Sequence, residues 1–249
     1  MTGQRQRGGM RMESEAETIR RHLLELGLGE AIPPELARRA SLVTAEPGEA
    51  IVRQGGRSDS LLLLAAGKIK VYTTTPDGKS LILSFLGPPE MLGDIEYVQR
   101  GLELMNTVEA VTPATLIRIP YREADRLAAD HAPFLRFLLG VITRKFQMKN
   151  NSLSFNLLYP VEVRLASYLL SVCGAEDGRE SARLEAGALR DAANLIGTSY
   201  RHLNRVLLQF ARDGLIERAR SSIAVRDRDA LAALAQENIY EPKSGGRSE

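Results

Sequence analysis

The pattern of the sequence changes from strand-like to helical near Pro120, and this change constrains the fold more than any other feature. Between residues 48 and 120, short runs of aliphatic and β-branched residues alternate with turn-forming Gly, Pro and Asp-Gly pairs. Such runs predict many short strands, and Asp77-Gly78 between two of them predicts a hairpin. After Pro120 the apolar residues follow helical spacing instead. The chain therefore predicts an α+β protein whose strands precede its main helices.

The same change divides the chain into domains. The strand-rich part is typical of an antiparallel sandwich, barrel or jelly roll, which we call the β-roll. The two ends are rich in Gly, Arg and other polar residues, which is typical of disorder. The predicted parts are a disordered arm (1–20), the β-roll (21–131), a long helix (132–158), a helix-turn-helix domain (159–240) and a disordered tail (241–249).

The long helix carries two apolar stripes. One stripe begins at Leu135 and the other at Phe134, and both continue over several turns. Two stripes suggest that the helix packs on its own domain and also on a second copy of the chain. The alternative is a single helix buried in one core. The residues predicted to form the dimer seam are Leu135, Leu138, Val141, Ile142 and Met148.

The C-terminal part contains a helix-turn-helix pattern. A first helix is predicted over Ala188–Leu195, and Gly197 can adopt the left-handed conformation that a tight turn requires. Thr198 or Ser199 can cap a second helix over Tyr200–Ala211. The following LIERARSSIAVRD predicts two short strands, a wing. The face of the second helix predicted to pack inward consists of Leu203, Val206, Leu207 and Phe210.

The charge of this region favours DNA binding. The whole chain has a formal net charge of only +2, but residues 199–228 hold seven arginines against three acidic residues. A local basic patch is what phosphate neutralisation requires. The alternative is that the motif only packs helices together, as in many proteins that do not bind DNA. The candidate DNA-binding residues are Thr198, Ser199, Tyr200, Arg201, Asn204 and Arg205.

Several classes of function are not expected. The single cysteine, Cys173, cannot form an internal disulfide or an iron–sulfur cluster, and we expect it to be a small core residue. The longest purely apolar run, Leu61–Ala66, is too short to span a membrane, and the N-terminus lacks the apolar core of a secretory signal. No catalytic motif is present, so we predict a cytoplasmic protein that is not an enzyme and carries no metal or other cofactor.

Taken together, the segments resemble the Crp/Fnr (cyclic AMP receptor/fumarate-nitrate reductase) family of bacterial transcription regulators. The resemblance rests on PGEAIVRQGGRSDSLLLLAAGKIKVY, LGPPEMLGDIEYV and LIGTSYRHLNRVLLQFARDGLIE. It implies a β-roll of the cyclic-nucleotide-binding type, a dimerisation helix and a winged helix-turn-helix. It also implies a homodimer on a near-palindromic DNA operator, an effector in the β-roll and RNA polymerase as a possible further partner.

The chain departs from the family at two places. The family's recognition helix commonly offers Arg, then Glu, then Arg four residues on, and here Tyr200, Arg201 and Arg205 stand at these positions. Only Arg205 matches, and it could bind a guanine with both guanidinium nitrogens. The operator should therefore differ from the sequence that the family's best-known members bind.

The effector pocket departs further. Cyclic-nucleotide binders of the family carry Gly-Glu and an Arg-Ser pair that holds the phosphate, and this chain has Gly93-Asp94 and Leu104-Met105. Leu and Met offer neither charge nor hydrogen-bond donor, so cyclic AMP is not expected. Haem is not expected either, because neither His nor Cys lies in this region. The candidate pocket residues are Gly93, Asp94, Ile95, Leu104, Met105, Asn106, Lys149 and Asn150.

Two alternatives remain open. The chain could be a ligand-binding or protein-interaction module whose helix-turn-helix has lost DNA binding, since Tyr200-Arg201 replaces the family's usual pair. It could also bind a cyclic nucleotide in a changed pose. In either case the small-molecule effector is unknown from the sequence.

Overall fold

The computed structural model describes residues 14–78, 80–173 and 184–235. The predicted tail at 241–249 lies outside these residues, as does most of the predicted N-terminal arm. None of the helices within the described residues is both long enough and apolar enough to cross a membrane.

The first helix corrects the predicted N-terminal arm. Residues 15–20, expected to be disordered, belong to α1 (Glu15–Glu25). Ser14 Oγ accepts a hydrogen bond from the Glu17 amide at 3.3 Å, and the Ser14 amide donates to the Glu17 carboxylate at 2.8 Å. This capping box starts the helix, and Ile19 is buried in the core. Local composition suggested disorder, but an amphipathic face with a good cap outweighs it.

The chain divides into two compact units, which we describe separately. The first contains the chain up to Val71 and again from Phe85 to Arg144, and the second contains Tyr72–Ser84 and the chain from Lys145 onward. The division falls within the long helix rather than at its ends. The predicted sequence of β-roll, long helix and helix-turn-helix is confirmed as the order of elements.

Short strands form two four-stranded sheets between residues 41 and 120. The predicted hairpin at Asp77-Gly78 is confirmed, because these residues lie in the turn between two neighbouring strands. The strands are β1 (Ser41–Ala45), β2 (Ala50–Val52), β3 (Ser60–Ala66), β4 (Ile69–Thr74), β5 (Ser80–Leu86), β6 (Glu90–Leu92), β7 (Thr107–Ala110) and β8 (Ala114–Pro120).

The sheets have the orders β1-β8-β3-β6 and β2-β7-β4-β5. In the first sheet, β3 pairs antiparallel with β8 so that Leu62 lies opposite Arg118. Because successive side chains of a strand point to opposite faces, β3 contributes to two cores. Leu61 and Leu63 belong to a cluster shared with the helices, and Leu64 belongs to a cluster that combines residues of both sheets.

Short helices complete the first unit. α2 (Pro34–Ala37) and α4 (Tyr121–Ala128) contribute buried side chains to the helical side of the core, as does the start of α5 (Ala132–Leu158). α3 (Asp94–Val98) follows β6 directly. Each fully buried Leu, Ile or Phe of these clusters stabilises the fold by about 1.5–3 kcal/mol relative to an exposed one.

α5 has the predicted bounds, but its two stripes differ in burial. Phe134, Leu138 and Val141 are buried, and Phe134 and Val141 belong to the core cluster of the first unit. Leu138 and Val141, predicted for the dimer seam, are thus already covered without a second copy of the chain. Leu135 is exposed, and Ile142 and Met148 are half-buried.

Past α5, the second unit is a winged helix-turn-helix. The predicted wing is confirmed as an antiparallel pair of strands, β10 (Ile216–Arg218) and β11 (Ser222–Val225), which a third strand extends. The inward-facing residues predicted for the second helix of the motif are all buried. The elements are α6 (Val161–Val172), β9 (Leu184–Glu185), a 3-10 turn (Ala186–Ala188), α7 (Leu189–Leu195), α8 (Tyr200–Arg212), β10 (Ile216–Arg218), β11 (Ser222–Val225) and α9 (Arg228–Leu234).

Candidate functional site

The turn between α7 and α8 is fixed by its own backbone. Gly197 adopts a φ of +65°, which a residue with a Cβ rarely tolerates. The Thr198 amide donates to the Ala193 carbonyl at 2.9 Å, which closes the end of α7. Ser199 Oγ then accepts a hydrogen bond from the His202 amide at 3.1 Å and caps α8. The predicted capping residue and turn glycine are both confirmed.

A buried arginine, Arg164, hydrogen-bonds to the backbone of this turn. Arg164 of α6 donates through Nη1 to the Ile196 carbonyl, the last residue before Gly197. The same nitrogen lies 3.4 Å from Oδ1 of Asn156, near the end of α5. One side chain therefore links α5, α6 and the turn within the second unit. Sequence analysis missed Arg164, since nothing in an isolated helix pattern distinguishes it from a surface arginine.

The outer face of α8 presents charge and one aromatic ring. Arg201 and Arg205 are exposed and lie one turn apart. Tyr200 is about half exposed at the first position of the helix, and Leu208 is also about half exposed. Arginine nitrogens, a phenol and an aliphatic group are the groups that contact base edges and thymine methyls in DNA. The predicted positions of Tyr200, Arg201 and Arg205 are thus accessible.

Asn204 is less available than its neighbours. Its Nδ2 donates to the Tyr200 carbonyl at 3.0 Å, and its Oδ1 accepts from Arg218 Nη2 at 2.8 Å. Arg218 belongs to the wing strand β10. Asn204 therefore joins α8 to the wing, and a base contact by Asn204 would require these bonds to break.

Two further arginines lie beside the predicted set. Arg218 is placed there by Asn204, and the guanidinium of Arg190 on α7 lies 5.8 Å from the Tyr200 ring centroid, a cation–π contact. Sequence analysis counted Arg218 in the basic patch but assigned it no contact, and it missed Arg190. The sequence could have drawn attention to Arg190, because it lies on the first helix of the helix-turn-helix motif.

The wing extends the basic patch. Its strands pair with Glu217 opposite Ala224, and the Ala219 amide donates to the Ser222 carbonyl at 2.9 Å across the tip. Arg220 and Arg226 are exposed on this element. The motif therefore presents arginines from α8 and from the wing.

In the β-roll, the Gly93-Asp94 pair is buried. Gly93 has a φ of +75°, and a Cβ there would lie 2.7 Å from the Ser60 carbonyl oxygen. The Tyr121 hydroxyl donates to the Gly93 carbonyl at 2.7 Å, and burial raises the pKa of Tyr121, so the phenol stays protonated. Asp94 is buried at the first position of α3. This corner is tightly packed around Gly93.

The other predicted effector residues differ in burial. Ile95 and Asn106 are half-buried, and Met105 is exposed. Lys149 and Asn150 are exposed on the part of α5 that belongs to the second unit.

A cavity of about 240 Å³ lies in the β-roll, and of the eight predicted residues only Leu104 lines it. Its apolar wall consists of Ile51, Val52, Leu62 and Leu104. The prediction that the other seven residues form one pocket with Leu104 is therefore not supported by this cavity. Sequence analysis missed the wall because the pairing of Leu62 with Arg118 is a tertiary contact.

The polar wall of the cavity contains an ion pair. Arg118 Nη2 lies 3.0 Å from Asp59 Oδ1, and Arg118 Nε donates to Ser60 Oγ at 3.0 Å. Ser60 Oγ in turn donates to Asp59 Oδ1 at 2.6 Å. The Ser60 hydroxyl and then Arg118 hold the pKa of Asp59 below its ordinary value. The charges of Arg118 and Asp59 are therefore paired with each other, and Ser60 bonds to both.

Neither Cys173 nor the potential metal ligands among the described residues form a candidate reactive or metal site. Cys173 is buried at the end of α6, and burial raises the pKa of its thiol. Its Sγ lies 4.0 Å from the Ile223 carbonyl oxygen. Within the part of the chain that the structure describes, no three His, Cys, Asp or Glu side chains are grouped so as to hold a metal ion.

Two family models match the chain. A cyclic nucleotide-binding domain matches residues 42–131, and a Crp-like helix-turn-helix domain matches residues 163–234. The first range falls in the β-roll and the second covers the turn, α8 and the wing.

Curated relatives and solved structures agree with these models. The chain is 29% identical over 196 residues to the regulatory protein YeiL of Escherichia coli O157:H7, covering 79% of this chain and 86% of the relative. It is 26% identical over 229 residues to a CRP-like cAMP-activated global transcriptional regulator of Mycobacterium tuberculosis, covering 86% and 98%. A crp/fnr-family transcriptional regulator from Eubacterium rectale has the same fold, with a TM-score of 0.71 at 21% identity over 86% of this chain and 97% of that one.

Proposed function

Because the chain belongs to the Crp/Fnr family of transcription regulators, we propose that it binds double-stranded DNA sequence-specifically as a homodimer. The observation that carries this proposal is the capped helix α8, whose outer face exposes Arg201 and Arg205 while its inner face is buried. A recognition helix enters the major groove with its first turns against base edges. The family is one of regulators and not of enzymes.

The groups around α8 fit distinct roles. In this proposal Arg205 binds a guanine through O6 and N7, and Tyr200 and Arg201 contact neighbouring bases or phosphates. Thr198 and Ser199 lie at the N-terminus of α8, where amides and the helix dipole favour a phosphate. Arg220 and Arg226 of the wing contact the backbone outside the half-site.

The exposed stripe of α5 supports the homodimer. Leu135, Leu139, Phe146 and Leu153 are each exposed by about 40–65%, although they repeat at helical spacing along one helix. An apolar stripe of this length is costly in water, and a second copy of the same helix would cover it. Two copies related by a twofold axis would place two α8 helices on inverted half-sites about 34 Å apart.

The remaining assignments follow from the same proposal. DNA recognition implies action in the bacterial cytoplasm, with RNA polymerase as a further partner. Cyclic AMP is not the proposed effector, because Leu104-Met105 stands where the family's cyclic-nucleotide binders carry Arg-Ser. Calorimetry with cyclic AMP and cyclic GMP tests this point, and micromolar binding of either would contradict it.

Selection from random duplexes tests the DNA proposal. The full chain should enrich an inverted repeat at moderate salt, and sedimentation should give the mass of a dimer. A single unrepeated half-site with a monomer's mass would contradict the homodimer. No enrichment at all, with negligible binding to any duplex, would instead favour a helix-turn-helix that has lost DNA binding.

A further inference from the structure

The β-roll cavity has an apolar floor that continues into the core. Ile51, Val52 and Leu62 line the cavity and also pack against the buried cluster that combines both sheets. Leu104 closes another side and is itself buried. A ligand in this cavity would therefore place an apolar group against these side chains.

Two arginines lie at the same cavity without a charged partner. Arg53 and Arg57 line it, and among the described residues neither makes an ion pair. Arg118, the third arginine of the lining, is held by Asp59 and Ser60. The cavity thus has an excess of positive charge beside an apolar wall.

The loop that carries these arginines is fixed in place. The Gly55 amide donates to the Leu104 carbonyl at 2.8 Å, and the Leu104 amide donates to the Gly56 carbonyl at 2.8 Å. Ser58 Oγ donates to the Ser60 carbonyl at 2.8 Å. These bonds fix the backbone of the loop that carries Arg53 and Arg57, whose side chains are exposed, and a preformed backbone lowers the entropic cost of binding.

We propose that this cavity binds a small organic monocarboxylate with an apolar body, its carboxylate held by Arg53 and Arg57. The cationic groups come from the loop between β2 and β3, not from positions 104 and 105, where the family's cyclic-nucleotide binders place theirs. A volume of about 240 Å³ is below the roughly 300–1,000 Å³ typical of sites for drug-sized ligands, which favours a small acid. Arginine recognises a carboxylate through two parallel hydrogen bonds.

The binding is a property of the first unit. If the acid is an effector, this proposal rests on the proposed DNA function and extends it. Binding of the acid is nevertheless measured without DNA. A failure to bind the acid would therefore not count against DNA recognition. Hexanoate and benzoate are the probes, because each joins one carboxylate to an apolar body. Hexanol, benzyl alcohol and inorganic phosphate each lack one of the two parts.

Calorimetry on the full chain and on Arg53→Gln/Arg57→Gln tests the proposal. At least one acid should bind, and the double variant should weaken it at least about tenfold, because hydrogen bonds to charged groups contribute that much. Arg39→Gln, an exposed arginine of the same unit that does not line the cavity, should leave binding unchanged. Unchanged melting temperatures would exclude loss of the fold as the cause.

Four outcomes would overturn the proposal. These are no binding of either acid, equal binding of the acids and their alcohols, equal binding of phosphate, and equal binding by the double variant. Each alcohol should bind the wild type and the double variant alike, since the arginines contribute little to a neutral ligand.

Discussion

The chain presents arginines in two different settings. On α8, Arg201 and Arg205 stand on an open helical face, next to a half-exposed tyrosine and the wing. At the β-roll cavity, Arg53 and Arg57 are exposed as well, but they line a recess that has an apolar wall, and Arg118 there is already paired. An open face with several cations suits a long polyanion, whereas a recess with an apolar floor suits one small anion.

The difference also concerns what holds each set of arginines. The α8 pair depends on one helix with a local cap and a buried inner face. The cavity arginines depend on a loop bonded to Leu104, which is distant in sequence. Binding to DNA should fall steeply as salt rises, because each neutralised phosphate releases counterions. Binding of one small acid should depend on salt far less.

The largest expected effect concerns the inner face of α8. Phe210→Ala removes a buried ring and should lower the free energy of unfolding by about 3–5 kcal/mol. Leu208→Ala, on the outer face of the same helix, should change it by no more than about 0.5 kcal/mol. Urea unfolding measures both. Similar losses for the two variants would show that α8 does not have the two faces assigned to it.

A second effect tests whether the open face reads bases. Arg205→Ala should cost about 1–3 kcal/mol of discrimination at one base position of each half-site, because a bidentate contact is lost. Gel shifts on duplexes with single base changes measure this. Arg212→Ala, exposed at the end of α8, is the control and should weaken all duplexes slightly. A uniform loss for Arg205→Ala would make it a phosphate contact.

A third effect concerns the local cap. Ser199→Ala removes the acceptor for the His202 amide and should cost about 0.5–2 kcal/mol of stability. Ser199→Gly should cost only a few tenths of a kcal/mol, since glycine is a tolerated cap. Thermal unfolding distinguishes them. If Ser199→Ala unfolded at the wild-type temperature, the capping bond would not support α8 in solution.

The smallest expected effect concerns Asp59, the carboxylate that is paired with Arg118 at the cavity. Ser60 and Arg118 lower the pKa of Asp59 in the folded protein, so the unfolded chain binds this proton more tightly. The resulting stability is present above the ordinary pKa of about 3.9 and is lost as the pH falls through the lowered value. Asp59→Asn should therefore reduce the loss of stability on acidification. Urea midpoints at falling pH measure it, and parallel curves for variant and wild type would contradict the pairing.

The parts of the molecule that were predicted correctly are set by local sequence. Gly197, Ser199 and the buried face of α8 follow from turn, cap and periodicity, which involve neighbours within four residues. Leu138 and Val141 were predicted for the dimer seam but are buried within one chain, because an apolar stripe does not say what covers it. Arg53 and Arg57 were missed because their neighbours are distant in sequence: loop hydrogen bonds bring Leu104, and strand pairing brings Arg118. Asn204 was predicted to contact DNA because the sequence does not show its bond to Arg218, which joins two separate elements.

The central claim is that the open arginine face of α8 reads a DNA sequence. The most direct test is the affinity of the full chain for its selected inverted repeat and for a scrambled duplex of equal length, at physiological salt. Specific binding of this kind predicts that the selected duplex binds at least about 10³-fold more tightly. Equal affinity for the two duplexes would contradict the claim.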